Sequence, residues 1–173
     1  ASLTLEEVLA LIKEAKELDE DVARIHTGDP SIYGAIQEQM QALDDMGIEY
    51  DVIPGVSSFA AAAAALKQEL TLPGVSQTII ITRVKGKTPV PESEDIQKLA
   101  QSRSTLCIFL SVGQIKSVTD NIIDYYGKDC PVAVVYKASW NDEKIISGTL
   151  ADISAKVEKS KIGQLDVIKT YEA

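Results

Sequence analysis

Histidine is almost missing from this sequence, which has one, His26. A single imidazole excludes a histidine-rich metal site, and no Ser-His-Asp set can be assembled around it beyond coincidence. Taken alone, His26 is a structural residue more often than a catalyst or ligand. Cysteine is nearly as scarce. Cys107 lies in an apolar run and Cys130 precedes a proline. Their spacing is not that of metal ligands, so both read as small buried hydrophobes in a reducing compartment, and no metal is expected. Positive charge is also in short supply: 17 Lys and Arg face 26 Asp and Glu, a net charge of -9. That argues against general binding to DNA or RNA, which calls for a basic stripe. Apolar runs of bilayer-spanning length are lacking. Ala1 to Glu7 has neither the positive nor the hydrophobic region of a secretory signal. These absences predict a cytoplasmic protein that engages neither membrane nor nucleic acid. Finally, GxxxxGK[ST] and GxGxxG do not occur, which counts against NTPases and the usual dinucleotide enzymes.

What remains is an ordinary globular balance, 45% hydrophobic and 25% charged over 173 residues, enough for one large domain or two small ones. Thr4-Leu5-Glu6-Glu7 is a capping box, and Leu5, Val8, Leu9, Ile12 and Ala15 follow at helical spacing. Val22 to His26 predicts a strand and Thr27-Gly28-Asp29-Pro30 a sharp break. Ile32, Ile36, Met40 and Leu43 then mark a helix with Gly47 as its C′ residue. Ile48 to Ile53 predicts another strand, and Val56 to Leu66 an alanine-rich helix. This alternation implies βαβ units and a parallel sheet.

Pro73-Gly74 suggests a junction, giving a partial N-terminal α/β domain over 1–72 and a C-terminal mixed α/β domain over 73–173. The second part reads as strands at 77–84, 105–112 and 131–138 and a returning antiparallel strand at 144–150. Helices are expected at 94–102, from Ile115 to a stop at Gly127, and at 150–160, with a last strand at 164–170. The fold class is α/β. The chain opens almost directly on a helix, whereas a parallel-sheet enzyme normally opens on a strand.

Two strand-to-helix junctions are the places for chemistry, because the carboxyl ends of parallel strands face the ligand crevice. At the first, Gly28 lets a ligand approach the backbone and Asp29 can accept from hydroxyl or ammonium groups. An Asp N-cap followed by Pro at N1 explains the same residues without any ligand. At the second, Ser57 or Ser58 can cap a helix or bind a ligand, and on local grounds the cap is favoured. Arg83, Lys85 and Lys87 cluster beside a polar, proline-containing loop. They are solvated loop residues or a means of capturing a polyanionic small molecule in an acidic protein. Trp140 reads as a partly buried turn residue or as a surface on which a ligand stacks.

These junctions carry a family resemblance. RIHTGDPSIYGA and YDVIPGVSSFAAAAAAL resemble two motifs of the tetrapyrrole (corrin/porphyrin) methyltransferases. TLPGVSQTIIITRVKGKTPVPE, TLCIFLSV and PVAVVYKASWNDEKIISGTLADI are similar to the branch that methylates C11 of precorrin-4 or cobalt-precorrin-4. The resemblance runs from about residue 1 to 155. It implies a two-domain class III methyltransferase fold with S-adenosylmethionine between the domains, S-adenosylhomocysteine as product, a tetrapyrrole substrate and a homodimer. By motif it implies cofactor contacts from Thr27, Gly28, Asp29, Ile32, Ser57, Ser58, Leu110, Ala138 and Thr149. Arg83, Lys85 and Lys87 are the candidates for substrate carboxylates, and no general base is assigned. The family's opening strand and Gly-Pro-Gly-Asp loop have no counterpart here, so the N-terminal domain is expected to be incomplete. The alternatives are a uroporphyrinogen-III or other precorrin methyltransferase, and a non-catalytic fragment that binds the cofactor.

Overall fold

β-Branched runs separated by amphipathic segments set the architecture of the larger part of the molecule. A computed structural model describes residues 3–86, 88–160 and 162, with the backbone alone over 166–170. It divides into two compact units, Ala1–Ser57 and Ser58–Ala173. This division by contact falls upstream of the Pro73-Gly74 break, because the alanine-rich helix goes with the second unit.

The first unit contains α1 (Leu5–Glu17) and α2 (Gln37–Asp45). The capping box of α1 forms as the sequence predicts: Glu7 N donates to Thr4 Oγ1 at 3.3 Å and Thr4 N donates to Glu7 Oε2 at 2.7 Å. At the end of α2, Gly47 takes φ +62°. Gly47 N then bonds Asp44 O, and Ile48 N bonds Leu43 O at 3.0 Å, the paired bonds of a Schellman motif. Lys16 Nζ donates to Gly47 O at 3.2 Å and ties the two helices.

Two expectations fail here. Residues 22–26 and 48–53 are not strands, and no ladder forms between residues 3 and 57. Alternating β-branched residues favour extended backbone, but a strand also needs a hydrogen-bonding neighbour. The helix expected directly after Asp29 starts only at Gln37, because Tyr33 and Ala35 hold positive φ of 55° and 51° and interrupt it. Gly34 between them is forced: a Cβ there would lie 1.9 Å from Pro30 O.

The second unit starts with α3 (Ser58–Leu66), two residues later than predicted. Five strands follow: β1 (Ile79–Arg83), β2 (Thr105–Phe109), β3 (Pro131–Tyr136), β4 (Lys144–Thr149) and β5 (Asp166–Thr170). They form one sheet in the order β1-β2-β5-β3-β4. Only β1 and β2 are parallel, and every other pairing is antiparallel, giving the mixed sheet predicted for this half. The helices α4 (Ile96–Ala100), α5 (Ile115–Tyr126) and α6 (Ile153–Ser160) supply one layer. Leu106 and Ile108 of β2, with Val132 and Val134 of β3, point into that layer against Ile96, Val118, Ile122 and Ile153. The intervening Cys107, Phe109, Ala133 and Val135 are buried too, so these strands are covered on both faces. That explains their nearly unbroken apolar sequence. Both cysteines are buried, as predicted. The Tyr126 hydroxyl, which α5 carries into the core, donates to Ser104 O. Among the described residues no helix is long and apolar enough to cross a membrane.

Candidate functional site

In the first unit the two glycine-containing loops meet. Gly28 adopts φ +71°, which turns the chain so that Asp29 faces back across the loop. Asp29 Oδ1 accepts from Ser31 N at 2.8 Å, and Ile32 N bonds Asp29 O at 3.2 Å, so the residue caps a single turn rather than a helix. Its other oxygen, Oδ2, accepts from Gly55 N at 3.1 Å, across 26 residues of sequence. The Ser31 and Gly55 amides, the first most strongly, hold the Asp29 carboxyl below the usual carboxylate range. Gly55 is required for this approach. A Cβ at that position would lie 2.1 Å from Gly28 O, a contact no side chain tolerates. Thr27, Gly28, Asp29, Ile32 and Ser57 are therefore carried on one bridged pair of loops, with Ser57 buried and Thr27 and Gly28 exposed. Gly55 has a role the sequence reading did not give it, although the Pro54-Gly55 pair was its signal.

In the second unit direction decides what sits together. Since β5 opposes both β2 and β3, the strands β1, β2 and β3 run the same way. Their carboxyl ends, Arg83, Phe109 and Tyr136, share one edge of the sheet. Leu110 follows β2 and Ala138 follows β3 at that edge. They are separated by the one strand between them, hence about 10 Å apart in the sheet plane. Leu110 is unusual twice over: it has φ +53° and is 57% exposed. A non-glycine residue in the left-handed region persists only where its surroundings impose it, and such residues cluster at ligand sites.

Ser111 imposes it. This buried residue accepts from Val84 N at 3.1 Å and donates to Phe109 O at 2.6 Å, so it staples the chain leaving β1 to the chain leaving β2. Gln114 Nε2 adds a bond to Lys85 O at 3.0 Å. Sequence reading missed both residues, since their partners lie on another strand's loop.

Two more of the predicted contact residues are engaged within the chain. Thr149 pairs with Pro131 at the opposite end of the ladder, about 17 Å along β4 from the edge that carries Leu110 and Ala138. There its N–H donates to Asp152 Oδ1 at 2.8 Å, and Asp152 is paired with Lys156 at 2.7 Å. Lys156 is the main reason why the Asp152 carboxyl is held low. The GTL segment thus leads into α6, and a Cβ at Gly148 would meet the Asp152 carboxylate at 2.2 Å and displace it. Arg83 is likewise engaged. Its guanidinium donates to Thr88 O at 3.1 Å and Pro89 O at 2.8 Å, bracing the loop. Lys85 is exposed on that loop. Lys87 lies outside the described residues.

Comparison with known proteins gives these positions a context. The family model for Tetrapyrrole (Corrin/Porphyrin) Methylases matches residues 1–154. The cobalt-precorrin-4 C(11)-methyltransferase of Methanocaldococcus jannaschii is 52% identical over 97% of this chain, and the precorrin-4 C(11)-methyltransferase of Pseudomonas aeruginosa is 48% identical over 91%. The chain spans 65% and 63% of the length of these two relatives. Among solved structures, a cobalt precorrin-4 methyltransferase superposes with a TM-score of 0.94 at 42% identity, covering 98% of this chain and 72% of that one. The uroporphyrin-III C-methyltransferase of Thermus thermophilus, solved with S-adenosyl homocysteine, shares the fold with a TM-score of 0.71 at 20% identity, covering 95% and 71%. By sequence along most of its length and by fold, the chain belongs to the tetrapyrrole (corrin/porphyrin) methylases.

Proposed function

We propose that this protein carries out S-adenosylmethionine-dependent C-methylation of a tetrapyrrole, at C11 of precorrin-4 or cobalt-precorrin-4, and that it works as a cytoplasmic homodimer. The observation that carries the proposal is the Asp29 bridge, one carboxylate closing two loops through Ser31 N and Gly55 N. Such a bridge leaves the carboxylate's remaining lone pairs for a ligand's hydroxyl or ammonium groups. The close approach of Gly55 to Gly28 leaves backbone, not side chains, at the loop surface. That donor and acceptor set fits a small polar nucleoside ligand. When bound, the cofactor supplies a methyl group already activated on a sulfonium sulfur.

The protein's own task is then to position and to keep water out. Thr27, Gly28, Asp29, Ile32 and Ser57, carried on the bridged loops, would hold the cofactor. Leu110 offers an exposed apolar surface, held in place by the Ser111 staple. Lys85 and Lys87 would meet substrate carboxylates, with Arg83 shaping the loop that presents them. No side chain is assigned as a general base.

The binding test is calorimetry with S-adenosylhomocysteine. Asp29→Ala removes the charged acceptor that closes both loops and would face the ligand, so affinity is expected to fall by about tenfold. An unchanged affinity would remove Asp29 from the site. For the activity, the full gene product is incubated with cofactor and cobalt-precorrin-4. One added methyl group at C11 is expected, and methylation elsewhere would sink the positional assignment.

A further inference from the structure

The turn that joins β3 to β4 is built with unusual care for a surface hairpin. Within it Lys137 and Ser139, neither of them glycine, take φ of +47° and +72°. The backbone is held there from several sides. Lys137 Nζ pairs with Asp142 Oδ2 at 2.6 Å, Ser139 N donates to Glu143 Oε2 at 2.7 Å, and Trp140 N and Glu143 N close successive turns on Lys137 O and Trp140 O at 3.0 Å each.

What this bracing presents is Trp140, the only tryptophan of the sequence, whose 60% exposure favours the second of its two sequence readings, a surface on which a ligand stacks. The Lys137 ammonium lies 5.7 Å from its ring centroid and 5.2 Å from that of Tyr136. An exposed indole fixed by a strained, ion-paired turn has no packing reason for its rigidity. The turn stands at the same sheet edge as Leu110, since Tyr136 and Lys144 form the last pair of the β3–β4 ladder there. Lys144 at that pair and Lys85 beyond the end of β1 place further ammonium groups along the edge.

We infer that Trp140 is a stacking platform for a flat conjugated macrocycle with a carboxylate rim, oriented by Lys137 and bordered by Lys144 and Lys85. This deepens the reading above by assigning a substrate-contacting residue, and it rests on that reading for the identity of the macrocycle. The indole supplies apolar contact to the ring plane. The lysines along the edge supply the counter-charge for its carboxylates.

An octacarboxylic porphyrin serves as the probe, titrated into the chain. Because Trp140 is the sole indole, its emission reports on this site alone. Saturable quenching is expected, with the probe's own absorption band giving the affinity in the variants. Trp140→Phe keeps an aromatic face and stays within about threefold of the parent. Trp140→Ala weakens binding by about tenfold, as does Lys137→Met, the range measured for loss of one ring stack. S-adenosylhomocysteine affinity, measured in parallel, stays constant in all three variants and shows that they are folded. Equal probe affinity for Trp140→Ala and Trp140→Phe would overturn the inference, as would a saturated probe that leaves the indole emission unchanged. If the probe binds through Trp140 but S-adenosylhomocysteine does not bind the parent chain, the methyltransferase reading fails and the platform stands. The converse result removes the platform alone.

Discussion

The two units of this chain keep their functional loops in place by different physics. In the second unit Leu110 and Ala138 hang from strands buried on both faces, and Leu106, Ile108 and Val134 are fully inaccessible. In the first unit Val8 is the only hydrophobic residue to reach burial among those described, while Ile25, Ile53 and Val56 are largely exposed. Its loops are positioned by one carboxylate and two close backbone approaches instead. Apolar burial is insensitive to pH and spread over many contacts. A charged bridge is local, and protonation or a single methyl group can break it.

The sharpest way to break this comparison is truncation in both units. Ile108→Ala should lower the stability of the second unit by about 2–5 kcal/mol, the usual effect of deleting a fully buried Ile side chain. Val8→Ala should lower stability by only about 1.5 kcal/mol, two methyl groups at about 0.8 each. Urea unfolding followed by circular dichroism reads both, and equal effects would erase the distinction. Next in size is Gly55→Ala, which sets a methyl group against Gly28 O and should cost about 1–3 kcal/mol as overpacking. Proteolysis within 27–56 should accelerate, while the chemical shifts of β2 and β3 stay put.

The smallest effect sharpens the comparison by pH. Asp29 has its carboxyl lowered by folding, so the bridge's contribution is complete above the ordinary carboxylate value near 4 and is lost as pH falls through the lower folded value. Protection of the Ser31 and Gly55 amides, their exchange taken relative to the intrinsic rate at each pH, should be flat from pH 7 to about 4 and fall below it. The amides of β2, held by ladder bonds to β1 and β5, should show no such step.

How much of this was legible in the sequence follows the same division. Local signals were read correctly: the Thr4 capping box, the Gly47 turn, the stop of α5 at Gly127, and the β3–β4 hairpin. Each is decided by residues within a few positions of one another. The second unit was read almost element by element, because strands covered on both sides must be nearly continuous in Val, Ile and Leu. Residues 22–26 and 48–53 carry strand composition without a ladder, since pattern specifies a backbone shape but not a neighbour to bond. Tyr33 and Ala35 broke an expected helix through left-handed backbone that neither residue type advertises. At the candidate site, motif similarity named Asp29, Leu110 and Thr149 alike, whereas direction along β4 sets Thr149 at the far end of its ladder. Ser111 and Gln114 were invisible because their partners, Val84 and Lys85, are 27 and 29 residues away.

The order β1-β2-β5-β3-β4 has a consequence for how the molecule is made. The segment translated last of the five strands, Asp166–Thr170, occupies the middle of the sheet and joins β2 to β3. On the ribosome, both of its neighbours must therefore wait with open edges until the final strand emerges. The nascent chain passes through a stage in which two apolar ribbons are exposed and unjoined, where chaperones or premature self-association would act.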